Sequence, residues 1–179
     1  MKWFFRGVAV ILLAFVAVCI AGSFLPVTQK VETVVEVDVP AEDIYAYISD
    51  LRTYPLWSGL APPSGDWVFS GAQTGNGQIA SWKDGERYGK LAIYQDTAGE
   101  IVGLRTEGPL GVQNVQLALN EVEIGTQFYI SAERDSGGFP YLGRIAVWRQ
   151  KAKTQVVLDT AALRLGALVS DGGAVRIVQ

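Results

Sequence analysis

The sequence predicts an α+β fold: about seven antiparallel strands covered by one long C-terminal helix and preceded by a membrane-spanning helix. Three observations predict it. Residues 7–25 form an apolar run without a charge, a series of short strand-like runs is punctuated by glycine-rich turns, and residues 139–169 keep helical spacing.

The apolar run comes first. Gly7 to Leu25 is 19 residues without a charge, close to the roughly 20 that cross hydrocarbon as a helix. The apolar part of a cleaved signal is usually only about 7–15 residues, so length favours a retained anchor, although Ala21-Gly22-Ser23 offers a peptidase small side chains. Lys2 and Arg6 keep the N-terminal end in the cytoplasm by the positive-inside rule, which leaves the domain outside as a single-pass protein. The alternative is a secreted or periplasmic domain after cleavage. Cys19 is the only cysteine, so no intramolecular disulfide forms, and Val18 before it is a poor fit to a lipid-attachment site. The chain divides into anchor and linker (1–30), domain (31–169) and flexible tail (170–179).

From Val31, valine and threonine alternate with Glu32, Val34, Glu36 and Asp38 as far as Val39, the period of a half-buried strand. At Pro40 the period changes. Proline suits the first helical position, Glu42 and Asp43 face the positive end of the helix dipole, and Ile44, Tyr47, Ile48 and Leu51 form one apolar stripe. Pro55 ends or kinks any further turn and leaves Tyr54 and Trp57 beside a bend. Six strands follow at 67–70, 77–82, 87–95, 100–107, 112–121 and 126–133, joined by turn sequences such as Lys83-Asp84-Gly85 and Thr97-Ala98-Gly99. Short strands with hairpin loops argue an antiparallel meander with one face covered, Val115, Leu117 and Leu119 sharing a face and Phe128, Ile130 and Ala132 another. The cover is a helix over 139–169, with Leu142, Ile145, Ala152, Val156 and Leu163 on its apolar side.

The segment from Val39 to Ser58 resembles the opening signature of the START-like (SRPBCC) superfamily, which includes polyketide cyclases, lipid-transfer START domains and Bet v 1 allergens. The matching residues are Val39-Pro40-Ala41-Glu42, Ile48-Ser49-Asp50, Tyr54-Pro55 and Trp57-Ser58, and Gly75-Asn76-Gly77 followed by Ile79-Ala80-Ser81-Trp82 is similar to that family's hairpin. The polyketide cyclase/dehydrase-like branch is the nearest in pattern. The resemblance covers about Glu32 to Leu168 and implies the helix-grip fold: a strand, two short helices, a curved meander and a long gripping helix. It also implies a cavity between sheet and helix for a sterol, lipid, polyketide or other apolar molecule. Fold and function part company here, because the superfamily hosts enzymes, carriers and regulators alike.

Charge and residue types narrow the classes. Before Glu32 the chain holds three basic residues and no acid, so the remainder carries 12 basic against 18 acidic residues, a net charge of −6 that argues against nucleic acid. There is no histidine, which excludes Ser-His-Asp and Cys-His nucleophilic sites and histidine-based metal sites. The carboxylate pairs Glu42-Asp43, Asp84-Glu86 and Glu121-Glu123 sit at a helix start or in turns, where solvation explains them. No catalytic residue, metal or cofactor is expected. Candidates for lining the implied cavity are Tyr47, Trp57, Trp82, Tyr94, Phe128, Tyr141 and Trp148, all of which suit ordinary core packing as well. Arg105, in an otherwise apolar strand, is a candidate partner for an acidic ligand head group or a residue of the solvent face. The expected partners are a hydrophobic small molecule or lipid and, through the N-terminal helix, the membrane. A cyclase- or dehydratase-type enzyme and a ligand-free interaction module are the alternatives.

Overall fold

The structure, a computed structural model, describes residues 2–59, 65–108, 111–136, 142–170 and 175–178. An apolar helix α1 (Lys2–Ser23) leads into β1 (Thr28–Val37), which begins inside the expected linker. Two short helices follow, α2 (Ala41–Ile48) and α3 (Tyr54–Trp57). The meander is β2 (Asp66–Gly71), β3 (Gln78–Asp84), β4 (Arg87–Thr97), β5 (Ile101–Gly108), β6 (Gly111–Glu121) and β7 (Thr126–Asp135). Helix α4 (Leu142–Val169) and β8 (Val175–Val178) complete it. The strands form one antiparallel sheet in the order β2-β3-β4-β5-β6-β7-β1-β8. The expected meander, the two short helices and the long helix are all present. The end of the chain, read as a flexible tail, adds a strand by pairing Ile177 with Val35 at the free edge of β1. The turn at Pro109-Leu110, the break at Gly137-Gly138, the helix start at Phe139-Pro140, the loop from Leu60 to Ser64 and Asp171-Gly172-Gly173 lie outside the described residues.

The alternation in β1 has the predicted consequence. Val31, Thr33, Val35 and Val37 are buried while Glu32 is exposed, so one face of the strand joins the core. Ile44, Ile48 and Leu51 bring the inner side of α2 onto the same core, and Tyr54 and Trp57 of α3 are buried with ring centroids 4.6 Å apart. Each large side chain so buried contributes about 1.5–3 kcal/mol of hydrophobic free energy.

The corner between α2 and α3 is held by a buried amide. Gln78, fully buried at the start of β3, accepts the backbone N–H of Leu51 at 2.7 Å and donates to Asp50 Oδ1 at 2.8 Å and to the carbonyl of Gln73 at 2.9 Å. Asp50 Oδ1 also accepts the backbone N–H of Arg52 at 2.9 Å. From the hairpin side, the N–H of Gly75 reaches the carbonyl of Ser49 at 2.7 Å. Gly75 has φ +69°, and a Cβ there would collide with Asp96 Oδ2, so both conformation and space call for glycine. The residues that carry the family resemblance thus tie the helical corner to a hairpin.

Helix α4 grips the sheet with its C-terminal half only. Leu158, Ala161, Ala162, Leu165 and Gly166 are buried, whereas no residue from Leu142 to Val157 is. This corrects the expected stripe: Leu142, Val156 and Leu163 are 45%, 64% and 40% exposed, and Ala152 is exposed too. Leu158 and Leu165 are buried together with the small Ala161, Ala162 and Gly166, while Val156 and Leu163 lie on the exposed side. A polar latch fixes the crossing. Thr33 Oγ1 donates to Asp159 Oδ1 at 2.7 Å, and Gln155 Nε2 donates to Thr33 Oγ1 and Asp159 Oδ1, both at 2.9 Å, and to the carbonyl of Glu32 at 3.0 Å.

Candidate ligand cleft

Where α4 stands off the sheet, a cleft of about 430 Å³ opens. Gln113 and Arg134 line it from the sheet, Gly59 from the end of the α3 corner, and Gln150, Lys153, Val157 and Leu158 from α4. Its size lies within the range of about 300–1,000 Å³ usual for small-molecule sites. Further in, toward the centre of the grip, the described residues Trp57, Leu104, Ile130, Leu158 and Ala161, among others, enclose a void of about 10 Å³. That is scarcely room for one water. Around this void the described side chains pack closely, and the cleft lies at the helix edge.

Arg134 reaches the cleft through strand parity. Phe128, Ile130 and Ala132 are buried on the concave face, and Arg134 follows two residues on. Gln113 enters the same face from β6, ahead of Val115 and Leu117. The guanidinium donates from Nη1 to Gln150 Oε1 at 2.9 Å and from Nη2 to Gln113 Oε1 at 3.1 Å. Its Nε is buried and has no hydrogen-bond partner. None of the ion pairs among the described residues includes Arg134. Burial without a nearby carboxylate moves its pKa down, while an arginine remains charged. Lys153, exposed on α4, adds a second cation at the rim. A half-buried arginine, a lysine and two amides above an apolar floor can bind and orient an amphipathic anion. No group in this lining is an evident general base.

The eight residues singled out from the sequence are dispersed. Trp57 is buried, lines the inner void and lies 3.4 Å through Nε1 from the Thr53 hydroxyl. Phe128 is fully buried in the core. Tyr47 is half-buried against the core on α2. Trp82 lies half-buried on the face of β3 that meets Gly89, where an added Cβ would approach Cε2 and Cζ2 of its ring at 2.6 Å. Tyr94 is 50% exposed, close over Gly103 at an irregularity in β4. Arg105 is exposed with Nε 3.6 Å from Glu107 Oε1. Trp148 is 56% exposed on the outward side of α4, beside Arg149, Lys151 and Ala152. Tyr141 lies outside the described residues. The structure brings none of the seven described residues to the cleft that holds Arg134, while Trp148 borders a separate, open depression of about 540 Å³ on α4. Sequence reasoning missed Arg134, Gln113, Gln150 and Lys153. One signal was available for the arginine: the alternation 128, 130, 132 extends inward to 134.

Two tyrosines beside the α2–α3 corner are polar without being free to react. Tyr45 donates to Asp96 Oδ1 at 2.8 Å, and burial, the hydrogen bond and the charge of Asp96 push its hydroxyl up to about 12. Tyr54, completely buried, donates to the carbonyl of Ile48 at 2.9 Å, and burial raises it well above the usual value.

A curved antiparallel sheet gripped by a C-terminal helix, with a cleft at the helix edge, defines a helix-grip domain. Solved structures agree. Ara h 8.0201 matches 80% of this chain and 99% of its own at 14% identity and a TM-score of 0.55. The Aha1 dimer from Colwellia psychrerythraea matches 82% of this chain and 99% of its own at 11% identity and a TM-score of 0.56. DynU16, from the dynemicin biosynthetic locus, matches 82% of this chain at 13% identity and a TM-score of 0.56, though the match spans only 48% of that chain. The chain has the fold of the START-like (SRPBCC) superfamily. At these identities the likeness concerns fold. No protein-family model matches the sequence, and no curated protein matches it.

Proposed function

We propose that the protein is a membrane-anchored START-like domain that binds or carries a hydrophobic small molecule or lipid. The observation that carries the reading is the cleft of about 430 Å³ between the standing-off half of α4 and the sheet, with Val157 and Leu158 as apolar floor. Trp57 of the original candidates borders the small void behind it.

The anchor is supported by α1, in which Trp3–Ser23 is long and apolar enough to cross a membrane and whose most apolar stretch of 18 residues contains no buried residue. A wholly exposed apolar helix of this size is unfavourable in water. The start of α4 is tied to the end of α1, since Arg144 Nη1 donates to the carbonyls of Ser23 and Leu25 at 3.4 and 3.3 Å. This contact supports a reading in which the start of α4 lies near the end of the anchor and an apolar ligand reaches the cleft from the bilayer. The domain lies on the non-cytoplasmic side in this reading, following Lys2 and Arg6.

Native mass spectrometry of the full chain released from detergent micelles tests the reading. A discrete added mass that survives micelle stripping and is lost on denaturation is expected. A chain that stays bare after incubation with membrane lipid extract would instead favour an interaction module, a second reading supported by the exposed apolar side of α4.

A further inference from the structure

Resting on the ligand-binding reading, we infer that the ligand is an amphipathic anion whose carboxylate or phosphate is held by Arg134 and Lys153, with its apolar chain laid over Val157 and Leu158 toward Trp57. The argument begins with an oddity of β7. After Thr126, the inward positions Phe128, Ile130 and Ala132 are apolar and buried, and the next on that face is an arginine. A guanidinium placed against a core is normally matched to a carboxylate, because desolvating a charge is costly and only an opposite charge offsets it well. Here it meets the neutral oxygens of Gln113 and Gln150, which position it without neutralising it. Its Nε–H is left without an acceptor.

The remaining geometry fits an incoming anion. Each Nη spends one hydrogen on a glutamine, so the fork retains donors for a bidentate oxygen pair. Lys153 stands on the same cleft from the helix side. The apolar floor starts at Val157 and Leu158, and Leu158 is shared with the inner void bordered by Trp57. A charged head at the rim and an apolar chain inward follow from this gradient. An uncharged ligand would leave the arginine uncompensated, and a cation would be repelled by two like charges.

The test uses the full chain in nanodiscs of neutral phosphatidylcholine and four soluble probes of one chain length: octanoate, octyl phosphate, octanol and octylammonium. Calorimetric titrations are referenced to empty discs. One or both anions are expected to bind at least about tenfold more tightly than octanol, as a hydrogen bond to a charged group is worth about 1.5–3 kcal/mol. Which anion binds more tightly distinguishes a carboxylate from a phosphate head group. Arg134→Gln removes the preference while leaving octanol affinity within about twofold. Lys153→Ala, at an exposed helix position that folding does not depend on, reduces the preference without abolishing it and decides the matter if Arg134→Gln does not fold. Equal binding of octanol and both anions by the unaltered chain overturns the head-group assignment and leaves the ligand-binding reading standing. A preference that survives both substitutions overturns the assignment to these two residues. Failure of all four probes to bind overturns both readings.

Discussion

Replacing Gln78 tests whether the α2–α3 corner is held by a single amide. Its side chain makes three hydrogen bonds at 2.7, 2.8 and 2.9 Å, to the Leu51 N–H, Asp50 and the Gln73 carbonyl. In Gln78→Leu the Asp50 and Gln73 acceptors lie near enough to solvent to find water. The buried N–H of Leu51 does not, and an unsatisfied buried donor costs about 1–3 kcal/mol. With a smaller loss from the other two bonds, the total should be about 2–4 kcal/mol. Urea unfolding of the full chain in detergent, followed by tryptophan fluorescence, reads this as a lower midpoint at unchanged slope. Gln78→Glu sharpens the test. The introduced carboxylate still accepts from Leu51 but faces Asp50 and a carbonyl, so its folded pKa rises above the unfolded value of about 4.3. A raised folded pKa means that the protonated form, which donates as the amide did, preserves stability below about pH 4.3, and that stability is lost as pH rises through the folded pKa. The glutamate variant should therefore approach the parent in acid and fall below it at neutral pH. A leucine variant within about 0.5 kcal/mol of the parent, or a glutamate variant whose deficit does not change with pH, would refute the reasoning.

Two other perturbations follow from the same packing. Gly89→Ala drives a Cβ against the Trp82 ring at 2.6 Å and should cost about 1–3 kcal/mol, with most of it recovered in the double variant with Trp82→Leu; thermal melts of the three variants check this, and no recovery in the double variant counts against ring contact as the cause. For Tyr45, a hydroxyl raised from about 10 to about 12 by burial and by Asp96 contributes stability that is whole below pH 10 and is lost as pH rises toward 12. Melting temperature measured across pH 9 to 11.5 should fall less steeply in Tyr45→Phe than in the parent, with a residual slope from Tyr54, and identical slopes would contradict this origin.

Much of the fold was legible because its determinants are local. The alternation of β1, the change of period at Pro40 and the glycine turns between strands each specify an element within a few residues of themselves. The last strand was not, since residues 175–178 are ordered by backbone pairing with β1, which lies almost the whole domain away in sequence. The helix face was misread for a related reason. Apolar residues occur on two sides of α4, and tertiary packing selects the side of Leu158, Ala161, Ala162, Leu165 and Gly166 over that of Val156 and Leu163. The site was the least legible part. Large aromatics were sought, but Trp57 and Phe128 fill the core, and Trp148 and Tyr94 are largely outside it. Arg105 drew notice because it interrupts an apolar strand, yet its parity in β5 sends it outward to Glu107, whereas Arg134 closes a run of inward residues.

The helix-grip arrangement itself explains why a cleft appears at the helix edge. The Thr33–Asp159–Gln155 latch and the small residues after it pull the C-terminal half of α4 onto β1, so Leu158 and Leu165 pack against the sheet. A straight helix of 28 residues, roughly 42 Å long, then diverges from a twisted sheet toward its other end. Had position 134 carried leucine, apolar burial would have drawn that end inward and continued the core along β7. Arginine and two glutamines forgo that burial and keep the surfaces apart, because a charged group with incomplete partners is better left beside solvent or ligand than sealed in. The departure from the local pattern falls at the cleft, and natural sequences concentrate such departures where a site depends on them.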